Sequence, residues 1–175
     1  MTKNMILFLF GKDRPGIVDQ VTSLLFDQGA NIEESRMSAL GGYFSIMALF
    51  SCEAIKLPAI ATGLAALKET GFETTLQEAQ DPSKEPRPEA GLPLKMEVQG
   101  LDHPGIVQSL VSRLHQRNTN IHSLDTHITH APLSGAPLFN LLLEVIVPAD
   151  IPIADLKGEM TEIAREMNLD LIFTK

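Results

Sequence analysis

Gly11-Lys12-Asp13-Arg14-Pro15-Gly16-Ile17-Val18 recurs 89 residues later as Gly100-Leu101-Asp102-His103-Pro104-Gly105-Ile106-Val107, with six of the eight positions identical. The same offset pairs Ser23 with Ser112, Leu25 with Leu114, and Asn31-Ile32 with Asn120-Ile121. A match this long without a gap reads as an internal duplication of one unit. The 175 residues therefore divide into two units, residues 1–79 and 93–175. Between them, residues 80–92 hold Pro82, Pro86 and Pro88 among alternating charges, the composition of a stiff solvated linker.

Working outward from the first copy, Met5 to Phe10 is a short apolar run that reads as a buried strand. From Pro15 the period changes. Ile17, Val18, Val21, Leu24 and Leu25 share one face of a helix, with Pro15 in its first turn and Gly29 as its stop. Two strands, Asn31–Leu40 and Tyr43–Ser51, flank the hairpin pair Gly41-Gly42. Leu57, Ile60, Ala61, Leu64 and Leu67 mark a second helix that ends at Gly71, and Phe72–Glu78 closes the unit as a strand. The second unit repeats the order as strand 94–99, helix 104–117, strands 120–130 and 137–147, helix 152–167 and strand 169–174.

Strand-helix-strand-strand-helix-strand is the split βαβ order. It predicts an α+β fold of two ferredoxin-like βαββαβ domains, each a four-stranded antiparallel sheet with both helices on one face. The free faces differ. Leu94, Met96 and Val98 alternate with Lys95, Glu97 and Gln99, as a half-buried strand requires, whereas Met5–Phe10 has no polar face. The expectation is that the first sheet is covered on both faces, by an interface between units or between chains. The alternative is that residues 43–50 fill one large core.

The turn from first strand to first helix also carries two readings. Asp13 and Asp102 are suited to cap the helix start. Equally, unpaired amides at a helix N-terminus, with Gly16 and Gly105 lacking side chains, suit a small carboxylate. Asn31 and Asn120 are then placed nearby as amide donors and acceptors.

The repeated Asp-x-Pro-Gly-Ile-Val after an apolar strand resembles the ACT domain, a small regulatory ligand-binding module, over nearly the whole chain and twice. Two such domains with no enzyme attached resemble ACT regulators of transcription. The resemblance implies a small amino-acid effector, glycine or serine, held at Lys12, Asp13, Arg14, Pro15, Gly16 and Ile17 with Asn31. The second copy offers Leu101, Asp102, His103, Pro104, Gly105 and Ile106 with Asn120. It also implies a homodimer that acts through a protein partner, either a transcriptional activator or a metabolic enzyme.

Composition excludes several classes. Acids outnumber bases by 22 to 14, a net charge of −8 that disfavours direct nucleic-acid binding. Arg36, Lys56 and Lys68 are scattered and form no basic stripe. No apolar run reaches the ~18 residues of a membrane helix, and the N-terminal run is too short for a signal core, so a cytoplasmic protein is expected. Cys52 stands alone, fits a reducing compartment, and reads as a buried thiol. His115, His122, His127 and His130 read as surface residues, since the strand spacing keeps the last three from converging. Lys-Ser/Thr is missing after Gly16, which sets aside a phosphate loop. Met37, Met47, Met160 and Met167 read as core fillers. Neither a catalytic constellation nor a cofactor or metal site is expected.

Overall fold

The structure is a computed structural model describing residues 1–79 and 91–174. It forms two compact units, within Met1–Glu85 and Pro86–Lys175. In the first, the order is β1 (Thr2–Lys12), α1 (Ile17–Asp27), β2 (Asn31–Leu40), β3 (Tyr43–Glu53), α2 (Leu57–Ala66) and β4 (Phe72–Glu78). The second runs β5 (Gly91–Leu101), α3 (Ile106–Gln116), β6 (Asn120–His130), β7 (Pro137–Pro148), α4 (Ile153–Glu166) and β8 (Leu169–Thr174). The sheets are ordered β2-β3-β1-β4 and β6-β7-β5-β8, with every pairing antiparallel. This is the ferredoxin-like arrangement, present twice.

Side chains alternate across each strand, so burial assigns the faces. On β1 Met5, Leu7 and Leu9 are buried with Ile46, Ala48 and Phe50 of β3. Ile17, Val21 and Leu25 of α1 and Ile60 and Leu64 of α2 close this core. Spacing of four selects that stripe on α1, which leaves Val18 exposed, against the expectation that it joins the core. In the second unit Leu94, Met96 and Val98 pack with Leu110, Leu114, Leu156 and Met160, as the alternation predicts.

Three of the boundaries that differ from the sequence expectations have a clear local reason. Gly16 has φ 88°, which no right-handed helix accommodates, so α1 begins at Ile17 and Pro15 belongs to the preceding turn. Gly105, at φ 97°, does the same for α3, which starts at Ile106 instead of residue 104. Strand β5 starts at Gly91, so Gly91 and Leu92 of the expected linker pair with β7. Residues 80–90 of that linker lie outside the described residues.

Gly29, Gly41, Gly42 and Gly71 take the positive φ expected at helix ends and the hairpin. Asn118 and Asn168 play the glycine part in the second unit, at φ 48° and 55°. Cys52 is buried at the end of β3, and burial pushes its thiol above the ordinary range. His115, His122, His127 and His130 are exposed, as expected. No helix among the described residues is long and apolar enough to cross a membrane.

The helix-free faces differ sharply. On the first sheet Phe8 is 37% exposed, Phe10 56%, Tyr43 53% and Met47 44%, so no large single core absorbs residues 43–50. Met47 is thus no core filler: period two puts it opposite Ile46 and Ala48. On the second sheet Lys95, Glu97 and Gln99 stand where β1 has Ile6, Phe8 and Phe10, while Leu138 and Leu142 stand where β3 has Tyr43 and Met47.

Candidate ligand loops

The two repeated loops, residues 13–16 and 102–105, each run from just past the end of a central strand to a glycine in the left-handed region. Asp13 N–H donates to Gly42 O at 3.0 Å, and Asp102 N–H to Pro137 O at 3.1 Å, which fixes each loop to the neighbouring hairpin. The first helical bonds run from Gln20 N–H to Gly16 O and from Ser109 N–H to Gly105 O, both 2.9 Å.

Neither aspartate caps its helix. Gly16 and Gly105 occupy the cap positions, with no side-chain cap hydrogen bond in either unit. Among the described residues, the amides of Ile17, Val18 and Asp19 have no hydrogen-bond partner, nor do those of Ile106, Val107 and Gln108. An ideal Cβ on Gly16 or Gly105 meets nothing within 4 Å, so each turn is open at its glycine. Unpaired N–H groups and the positive end of the helix dipole together make an anion-favouring spot.

Position 14 and its repeat, position 103, tie each loop to the end of the second helix. Arg14 donates from Nη2 to Gln20 Oε1 at 2.8 Å and to Thr70 Oγ1 at 3.4 Å, with its guanidinium 5.1 Å from the Phe72 ring centre. His103 sets Nε2 3.3 Å from Met167 O and Nδ1 3.1 Å from Pro104 O. Pro15 and Pro104 are exposed, and the exposed side chains of Lys12 and Leu101 end their strands. Ile17 and Ile106 are buried in the two cores.

Asn31 and Asn120 are not beside the loops of their own units. Asn31 pairs with Ser51, eight positions along β3 from the Tyr43 that pairs with Lys12, a separation of roughly 26 Å. Asn120 pairs with Ile146, equally far from the Leu138 opposite Leu101. The helix carries the chain back along the sheet, so the residue opening the next strand lands at the opposite end.

The sequence reading missed Gly11 and Gly100, the first glycines of the motif. A Cβ on Gly11 falls 2.5 Å from Phe72 Cδ1 and 2.8 Å from Gly71 O; on Gly100 it falls 2.6 Å from Leu169 Cδ2. These glycines let β4 and β8 start flush against the central strand. Their recurrence in both copies was the available signal.

Comparison with known proteins follows the same lines. The ACT domain family profile matches residues 3–77. The chain is 24% identical over 164 residues to the glycine cleavage system transcriptional repressor of Escherichia coli K12, covering 94% of this chain and 85% of that one. A solved structure of an unknown protein from Galdieria sulphuraria superposes with a TM-score of 0.81 at 26% identity, covering 99% and 98% of the two chains. Another, provisionally named a glycine cleavage system transcriptional repressor, superposes at 0.70 with 19% identity, over 99% and 97%.

Proposed function

We propose that the protein is a tandem ACT-domain protein, a non-enzymatic amino-acid sensor that regulates transcription through a protein partner. The observation carrying this reading is the pair of uncapped helix starts. Two open turns each present three unpaired amides where the duplicated motif is most alike. A small zwitterion, glycine or serine, offers a carboxylate that accepts from those amides. The proposed sites are residues 12–17 and 101–106. At about 26 Å within a unit, Asn31 and Asn120 join a loop only from another copy of the chain.

The reading needs no metal and no cofactor. Its regulatory arm runs through protein, because a net charge of −8 opposes the approach to a polyanion. We place the protein in the cytoplasm, as a homodimer, with an activator or a metabolic enzyme as its target.

Calorimetric titration with glycine, serine and other small amino acids tests the sensor. Binding is expected, and Gly16→Val or Gly105→Val should abolish it at its own loop while the helical signal persists. Silence toward every amino acid sinks the idea. Affinity capture from extract then separates the targets by recovering a helix-turn-helix activator or an enzyme. A strong, salt-sensitive DNA mobility shift would contradict the protein-mediated route.

A further inference from the structure

We infer that the helix-free face of the first sheet is a self-complementary interface, which joins two copies of this chain face to face about a twofold axis parallel to the strands. The inference gives a surface to the homodimer of the proposed function; it does not depend on the amino acid.

The face is apolar where a solvated sheet is polar. Ile6, Phe8 and Phe10 project from β1, and Met47 and Leu49 from β3, on the side opposite the buried Leu7, Leu9, Ile46 and Ala48. Contiguous exposed apolar patches of this kind mark interaction surfaces. The equivalent face of the second sheet, from the same duplicated design, sets Lys95, Glu97, Gln99 and Glu144 among the exposed Leu101, Leu142 and Ile172, so what is specific to the first unit is the unbroken apolar row Ile6, Phe8 and Phe10 along its central strand.

The occupant follows from shape and register. Four strands spaced about 4.8 Å and some nine residues at about 3.3 Å give a footprint of roughly 600 Å². Side-chain corrugation raises that toward the about 800 Å² each partner contributes to a stable interface. A wide twisted sheet face is matched best by another of the same twist, packed about 10 Å away with strands within about 30°.

A twofold parallel to the strands lays β3 of one copy over β1 of the other and keeps each position along the strand. Because Phe8 pairs with Met47 and Ile6 with Leu49 inside one sheet, Phe8 then faces Met47 of the second copy and Ile6 faces Leu49. Phe10 faces the small Ser45, a bulky side chain over a gap, and Lys12 falls over the ring of Tyr43. On the flanks β2 covers β4. Glu34 meets Gln77, Arg36 meets Thr75 and Ser38 meets Glu73, so no carboxylate opposes another. Shape, apolarity and charge are satisfied by one operation of the chain on itself.

Sedimentation and light scattering of the full chain are expected to return a dimer mass. Phe8→Asp should return a monomer whose circular dichroism is unchanged. Ser45→Phe, which fills the gap, should weaken the dimer by tenfold or more, and adding Phe10→Ser should restore it. In a Cys52→Ala background, a chain with Phe10→Cys mixed with one carrying Ser45→Cys should form an oxidised cross-linked pair, while Ser45→Cys alone should not. A monomer at every attainable concentration overturns the inference, as does a dimer indifferent to Phe8→Asp or a Ser45→Cys chain that cross-links to itself. A monomer that still binds glycine removes this interface alone; a dimer that binds no amino acid removes the sensor alone.

Discussion

The guanidinium of Arg14 stands 5.1 Å from the centre of the Phe72 ring, and Phe72 itself fills the space a side chain on Gly11 would need. The strand, the loop and the start of β4 are thereby held as one packed corner. The second unit builds that corner differently. His103 reaches the Met167 carbonyl instead, and Leu169 takes the aromatic position against Gly100. In both, the loop is anchored from its side while its helix amides stay open.

The two glycines of the first loop do different jobs, and alanine separates them. Gly11→Ala drives a methyl into the Phe72 ring and the Gly71 carbonyl and should cost about 1–3 kcal/mol as overpacking. Gly16→Ala has open space, and its cost of about 1–2 kcal/mol comes from the left-handed φ alone. Urea unfolding of each variant with Phe72→Leu distinguishes them. Gly11→Ala should couple to the ring, whereas Gly16→Ala should be additive. Coupling at Gly16, or none at Gly11, contradicts the assignment.

Arg14→Ala should destabilise the first unit by about 1 kcal/mol, through loss of the Gln20 hydrogen bond and the contact with Phe72. Arg14→Lys should recover less than half of this, because an ammonium cannot hold Gln20 and Thr70 while lying flat on a ring. Thermal unfolding of the three proteins measures the order. A lysine variant equal to wild type would reduce Arg14 to a solvated charge.

Much of this architecture was legible because the sequence states it twice. Periodicities of two and near four located all eight strands and the four helices, and the 89-residue offset supplied the unit. What escaped was set by contacts between distant residues or by backbone torsion. Gly11 fell just past the strand read from Met5 to Phe10, and the contact that requires a glycine there comes from Phe72, 61 positions away. The αL residues that end the helices of the second unit are asparagines, a weaker turn signal than the glycines they replace. Asn31 was assigned to the loop because it shares the repeat, yet register puts it at the far end of its sheet. The loop's chemistry was legible only as two competing readings, and the absence of a side-chain cap, a matter of rotamer and φ, removes the capping one.

The asparagines yield their own measurement. At φ 48° and 55°, Asn118 and Asn168 sit where only glycine and asparagine are tolerated. Replacement by alanine should cost about 1 kcal/mol at either position, while replacement by glycine should be neutral within about 0.5 kcal/mol. Unfolding midpoints for the four variants decide it. Alanine variants as stable as wild type would mean the helix ends relax out of the left-handed region.

Cys52 links the first core to pH. It lies in β3 opposite Lys3, buried with Phe50 and Met5, and desolvation raises its thiol above the ordinary value. The native chain therefore holds this proton where the unfolded chain releases it. The stabilising contribution is complete below the ordinary thiol range, about 8.5, and is lost as pH climbs through the raised native value. Stability of the wild-type protein should consequently fall more steeply with rising pH in that alkaline window than that of Cys52→Ala. The same burial predicts that a thiol-alkylating reagent modifies the native protein only as fast as the first unit opens, and that modification accelerates in step with urea. Rapid alkylation without denaturant, together with parallel pH profiles for the two proteins, would place the sulfur in contact with solvent.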